Sequence, residues 1–160
     1  MTQKEKVQQT TIISSLEESD IPQLRTIGLG IPKFTTRTDT PSFYSEEALS
    51  RMAQSPECVA LVAKVGDEIA GFALTSLLTA ARDAYIHTVA VTEKFRGQGL
   101  AVDLLRRTLN EIRVKQPEIN HVFTDIQVEN EPSISLFKKL GFDVGRKFYY
   151  VDTMFEEQGE

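Results

Sequence analysis

The stretch "EKFRGQGLAVDLLRRTLNEI", residues 93 to 112, joins positive charge, two glycines one residue apart and an apolar pattern at helical spacing. Glycines just ahead of a helix leave backbone N–H groups unpaired, at the end where the helix dipole also favours negative charge. Arg96, Gly97, Gln98, Gly99, Leu100 and Ala101 therefore form a candidate cradle for an anion. Gly99 and Ala101 are small enough to let a diphosphate reach the backbone, and Arg96 adds charge. Two better-known phosphate motifs do not fit. A P-loop needs a lysine and a hydroxyl after its second glycine, and neither follows Gly99. A dinucleotide fingerprint needs a third glycine where Val102 stands, and an acid at the end of the next strand, where "VFTDIQVEN" does not put one. A purely structural strand-to-helix turn stays open on the glycines alone.

The elements around this stretch must position it. "TTIISSL" (10–16) reads as a first strand, and Asp20 followed by Pro22 starts a short helix. The polar loop "IPKFTTRTDTPSFY" leads to Ser45, a cap for the helix "EEALSRMA". "VALVAKV" and "EIAGFALTSLL" flank Gly66-Asp67, a hairpin signal. "AYIHTVAV" (84–91) is a buried strand by its β-branched run, and it feeds straight into the glycines. Beyond them Leu100, Leu104, Leu105, Leu109 and Ile112 make one apolar helical stripe. "HVFTDIQV" (121–128) reads as another strand, and "EPSISLFKKLGF" as a short helix with Pro132 in its first turn and Gly141 past its end. "GRKFYYVDTMF" is expected to be a last strand. The strand–helix–strand unit from 84 to 128 implies a parallel pair, and the hairpin implies antiparallel ones, so the sheet is mixed.

Composition bounds the function. The 160 residues suit one domain spanning 1–160, with 41% apolar and 26% charged residues, as in ordinary globular proteins. A net charge of −5 argues against nucleic acid, which needs a basic stripe, and favours a cationic partner such as an amine. The longest apolar run, Cys58 to Ala63, is far too short to span a bilayer, and "MTQKEKVQQT" lacks the apolar core of a signal peptide. A single cysteine fits a reducing cytoplasm, with Cys58 read as inert core filler. Two scattered histidines and one cysteine give no metal-ligand spacing. Monomer and homodimer are both open.

"VAVTEKFRGQGLA" resembles the acyl-CoA-binding signature of the GNAT acetyltransferases, Gln/Arg-x-x-Gly-x-Gly/Ala, read here as Arg96, Gly99 and Ala101. "NEPSISLFKKLGF" is similar to that superfamily's Asn-x-x-Ala-x-x-x-Tyr-x-x-x-Gly-Phe element. Asn130, Leu136, Gly141 and Phe142 match, whereas Ser133 and Phe137 depart. The resemblance covers roughly residues 8 to 156. It implies an α/β fold in which a mixed central sheet, flanked by helices, has two parallel central strands that splay apart. Acetyl-CoA would lie in that V as cosubstrate. Its pantetheine would pair with backbone groups of Val89 and Val91, its diphosphate would rest on residues 96–101, and Asn130 would hydrogen-bond the pantetheine arm. A backbone N–H near Val89 would polarise the thioester carbonyl.

The acceptor implied is a primary amine, a peptide N-terminus ahead of a small molecule or a lysine, and a CoA-binding module without catalysis stays open as the alternative. At pH 7 an α-amine is about 10–15% neutral and a lysine about 0.04%, so an N-terminus asks less of a general base. "YIHTVAV" resembles a strand of the N-terminal acetyltransferase branch, in which a tyrosine at the position of Tyr85 helps take the proton. The period of two puts Tyr85, His87, Val89 and Val91 on one strand face. That branch carries a functional histidine at the position of Asp125, and an aspartate is unusual in a strand. Asp125 is thus a second candidate base. Phe137 stands where many relatives have a tyrosine that protonates the leaving thiolate, and it has no proton to give. Phe34, Phe43 and Tyr44 in the 31–44 loop, with Tyr149 and Tyr150 near the C-terminus, occupy positions that cover the acceptor in relatives. His87 and His121 read as structural.

Overall fold

The computed structural model describes residues 10–31, 35–37, 40–41, 43–153 and 155. In chain order the elements are β1 (Thr11–Ser15), α1 (Ile21–Leu29), β2 (Thr35–Arg37), β3 (Thr40–Pro41), α2 (Glu46–Gln54), β4 (Cys58–Val65), β5 (Glu68–Leu78), β6 (Asp83–Val91), α3 (Leu100–Lys115), β7 (His121–Phe123) and α4 (Glu131–Lys139). Five strands form one mixed sheet in the order β1-β4-β5-β6-β7. Only β6 and β7 run parallel in it, joined by α3 as the crossover. β2 and β3 pair separately.

Helices cover both faces of the sheet. Leu24 of α1 and Leu49 of α2 pack on Val62, Phe72 and Leu74, all without exposure. On the other face Leu100, Leu104 and Ile112 of α3 pack against Leu61, Ala73 and Ala84. The sequence stripe on α3 is the buried one, as helical periodicity requires. A third cluster joins Ile86, Leu105 and Phe137, which seats α4 beside α3 on that same face. Local signals act where expected. Ser45 caps α2 by accepting from the Ala48 N–H at 3.2 Å, and the β4–β5 turn places Gly66 at φ +62°. At Gly28 in α1 a Cβ would come within 2.2 Å of the Phe43 ring, so the glycine lets that ring lie on the helix.

Three expectations differ. The strand expected over 121–128 pairs only over His121–Phe123. The last strand expected in "GRKFYYVDTMF" is not formed in the described residues, where Phe148, Tyr149, Tyr150 and Val151 are exposed. β7 is therefore an edge strand among the described residues rather than a central one.

The third difference is a β-bulge. On β5, Leu74 pairs with Thr88 and Thr75 with Ile86, which leaves His87 as an extra residue on β6. A bulge resets the alternation of faces. Tyr85 and His87 face the α1/α2 side with Tyr44. Val89 and Val91 pack with the α3 cluster instead. The period-two placement of all four on one face is corrected by that single inserted residue.

Candidate active site

The strand-to-helix turn after β6 is built from two left-handed glycines. Gly97 has φ +76° and Gly99 φ +79°, conformations that cost a side-chain-bearing residue about 1–2 kcal/mol. Gly99 caps α3, its carbonyl accepting from the Asp103 N–H at 3.1 Å. Space is open where a Cβ would stand at either glycine. A groove of about 190 Å³ runs past Val91, Arg96, Gly97, Gly99, Ala101 and Leu136. Arg96 is exposed, and its Nε donates to the Val91 carbonyl at 3.2 Å, which folds the guanidinium against the end of β6. Gln98 is exposed on the turn and Leu100 is buried beneath it. Unpaired N–H groups, a helix N-terminus and an adjacent cation suit a diphosphate.

β6 and β7 part company well before that turn, near the start of β6. Their last pair is Tyr85 with Phe123. One residue on, the Thr124 hydroxyl donates to the Ile86 carbonyl at 2.8 Å, replacing a ladder bond with a side-chain bond. Beyond it the β7-facing edge of β6, including Val89 and Val91, has no strand partner among the described residues. Extended backbone with a free edge can take up an extended ligand as an added strand. Asn130 caps α4, its Oδ1 accepting from the Ser133 N–H at 3.4 Å. Phe137 is 3% exposed and meets Phe142 edge-to-face at 5.0 Å. It packs in the core and offers no proton.

Polar groups gather on the α1/α2 face at the point of splay. The Tyr85 hydroxyl donates to Asp125 Oδ2 at 3.2 Å, and the Tyr85 ring lies 5.1 Å from Phe123. Burial, then the nearby Asp125 carboxylate, push the Tyr85 phenol up to about 12. Tyr85 is thereby a firm donor and a poor base. Asp125 is exposed, so its carboxylate faces solvent. The Tyr44 hydroxyl lies 3.2 Å from His87 Nδ1, and Ser76 Oγ lies 2.6 Å from His87 Nε2. Burial raises the Tyr44 phenol and lowers the His87 imidazole. Tyr150 is close enough to raise both Tyr44 and Tyr85, whereas Tyr149 is 95% exposed. Phe43 is buried on Gly28 and Phe72, and Phe34 lies outside the described residues. His121 is a surface residue bonded to Asp83 at 3.0 Å. No group of three metal-ligating side chains occurs among the described residues.

The family model for the acetyltransferase (GNAT) family matches residues 32–142, more than half of the chain. The chain belongs to the GNAT family. This GNAT chain is 36% identical over 107 residues to L-2,4-diaminobutyric acid acetyltransferase of Methylotuvimicrobium alcaliphilum, covering 63% of the chain and 61% of that relative. It is 29% identical over 122 residues to a putative [ribosomal protein bS18]-alanine N-acetyltransferase of Bacillus subtilis, covering 75% of each. The N-alpha-acetyltransferase of Sulfurisphaera tokodaii is 28% identical over 108 residues, covering 60% of this chain and 64% of that relative. The chain thus spans about three fifths to three quarters of these relatives' lengths. Among solved structures, the ribosomal-protein-S18-alanine N-acetyltransferase of Escherichia coli superposes with TM-score 0.68 at 24% identity, covering 90% of this chain and 86% of that one. Ard1 of Thermoplasma volcanium gives 0.67 at 24%, covering 85% and 84%. These structures share the fold.

Two site residues of this GNAT chain escape sequence reasoning. Ser76 is an ordinary polar residue in a strand, and Thr124 differs from other strand threonines only by sitting where the parallel ladder ends. The signal available in advance is weak: Thr124 immediately precedes the unusual Asp125.

Proposed function

We propose that this chain is an acetyl-CoA-dependent N-acetyltransferase acting by direct transfer to a primary amine, with a peptide or protein N-terminal α-amine as the preferred acceptor. One relationship carries the reading. The strands part at Tyr85 and Phe123, so the free edge of β6 and the Tyr85–Asp125 pair meet at one apex. The residues fit the cosubstrate: left-handed glycines with open space, a helix N-terminus and a stretch of β6 at Val89 and Val91 with no described strand on its outer edge, where only the Val91 carbonyl is met, by Arg96 Nε. When bound, acetyl-CoA supplies an activated acetyl carbonyl and a thiol leaving group.

The chain's own groups do the rest. Residues 97–101 receive the diphosphate on backbone N–H groups, and Arg96, whose own N–H is bonded to the Glu93 carbonyl, adds its side-chain charge. The Asn130 side chain, already a helix cap, adds its amide to the pantetheine arm. A β6 N–H near Val89 polarises the carbonyl as negative charge develops. Asp125 accepts the amine proton, directly or through one water, and Tyr85 fixes the carboxylate by donating to it. Tyr44 and Tyr150 border the acceptor, on the same side as Tyr85. Phe137 leaves thiolate departure to solvent, which a thiol with an ordinary pKa near 8.5 tolerates. No described helix is long and apolar enough to cross a membrane, and a cytoplasmic setting suits the single cysteine.

A small diamine acceptor is the second reading, favoured by the 36% identity to the diaminobutyric acid enzyme. Release of free CoA thiol from acetyl-CoA, followed across short peptides, lysine peptides with blocked N-termini and small diamines, separates the readings. Peptide α-amines turning over fastest supports the first, and diamines the second. No release with any amine, alongside measurable CoA binding, replaces both with a non-catalytic CoA-binding module.

A further inference from the structure

We propose that His87 is the positioning residue for Tyr44, turning the Tyr44 phenol so that its oxygen is free to accept a hydrogen bond from the incoming amine. This rests on the N-acetyltransferase reading above. His87 is the extra residue of the β6 bulge, and the bulge directs its ring away from the α3 core onto the acceptor face. There it is bridged on both nitrogens. Tyr44, at the end of the loop before α2, meets Nδ1 at 3.2 Å, and Ser76, one strand away on β5, meets Nε2 at 2.6 Å. The ring stands 4.7 Å from Tyr85 and 6.0 Å from Tyr44, both edge-on.

A neutral imidazole donates from one nitrogen and accepts on the other. Burial keeps His87 below the ordinary histidine range, so the ring is neutral at pH 7. Of its two partners the phenol is by far the stronger acid, so Tyr44 donates to Nδ1 and Nε2–H donates to Ser76. A phenol that spends its proton on His87 has only lone pairs left to offer. It then accepts an N–H from the amine and cannot donate to a competing carbonyl or hydroxyl acceptor. Ser76 holds the tautomer, as second partners of histidines commonly do. The titratable groups facing this ring are Tyr44 and Tyr85, and Tyr150 and Asp125 act on those two phenols rather than on the ring.

Imidazole nitrogen NMR of the full chain tests the pairing without turnover, because the chain has only two histidines and surface His121 is the internal control. His87 is expected as the Nε2–H tautomer, and Tyr44→Phe should raise its protonation midpoint and mix the tautomers. An Nδ1–H tautomer in the unaltered protein, or resonances indifferent to Tyr44→Phe, overturns the proposal. Kinetically, His87→Phe should raise the acceptor KM by about tenfold, the worth of one hydrogen bond, while the acetyl-CoA KM stays put. His87→Gln, which keeps an acceptor atom, should restore most of the loss. The Tyr44→Phe/His87→Phe double variant should be no worse than Tyr44→Phe alone. Additive losses, or both KM values rising together, refute the positioning role. If the unaltered protein acetylates no amine, the enzymatic reading fails on its own, and the NMR arm still decides whether His87 orients Tyr44.

Discussion

The hydroxyl of Tyr85 donates to Oδ2 of Asp125 across 3.2 Å, tying β6 to the segment after β7 just where the two strands diverge. With its phenol held near 12, Tyr85 stays protonated, and the proposed mechanism therefore makes Asp125 the proton acceptor of the pair. Asp125→Asn should lower kcat by about 10²–10⁴-fold, the usual worth of a general base. Tyr85→Phe removes one hydrogen bond to that carboxylate and should cost only about tenfold. Acetyl-CoA affinity should change in neither variant. Equal losses would divide the proton transfer between the two groups, and full activity in Asp125→Asn would leave water as the base.

The cradle makes a second prediction. Gly99→Val forces a β-branched residue into a left-handed conformation and puts a side chain where the groove opens. Calorimetry should then record loss of acetyl-CoA binding, and the ligand-induced rise in melting temperature should vanish with it. Arg96→Ala should weaken binding by a smaller factor, because the backbone N–H groups remain. Unchanged affinity in Gly99→Val removes the diphosphate from this turn.

Stability should fall at both ends of the pH scale for identifiable reasons. Tyr85 ionises near 12 in the fold and near 10 when unfolded, so its stabilising effect is intact below 10 and fades between 10 and 12. His87 is lowered, so its contribution is intact above about 6.5 and fades as the unfolded chain takes up protons first. Chemical denaturation across pH should show Tyr85→Phe flattening the alkaline decline and His87→Phe flattening the acid one.

Thr124→Val keeps the side-chain shape and deletes the hydroxyl that reaches the Ile86 carbonyl. The expected loss of stability is about 1 kcal/mol, read from denaturant midpoints. Turnover should fall more than that bond implies, since Asp125 follows directly, and Thr124→Ser should restore it. A Val variant with native turnover detaches the hydroxyl bond from the geometry of Asp125.

Much of this could be read from the chain, and what could not has physical causes. The β4–β5 hairpin, the α3 stripe and the glycine turn rest on local periodicity and backbone freedom, which a sequence displays directly. The bulge at His87 does not, because one extra residue in "AYIHTVAV" leaves its composition unchanged while reversing every face after it. The strand expected through 128 ends at Phe123 because Thr124 substitutes for the ladder, a decision made by a residue 38 positions away at Ile86. Apolar "FYYV" has strand propensity, yet no neighbour in the described sheet takes it up, and strand formation depends on a partner. The pairs Tyr85–Asp125 and Tyr44–His87 are 40 and 43 residues apart and exist only once the sheet has formed.

The inserted residue in β6 also divides one strand into two separately heritable modules. Up to His87 the side chains beside Tyr44 line the proposed acceptor site, and from Val89 onward they pack with the α3 cluster beneath the proposed cosubstrate groove. Residues at 85 and 87 can therefore drift toward a new acceptor without disturbing the layer under α3. A graft that exchanges those two positions between family members should carry acceptor preference with it. Deleting one residue there would remove the bulge and set the two halves of the strand in one alternation.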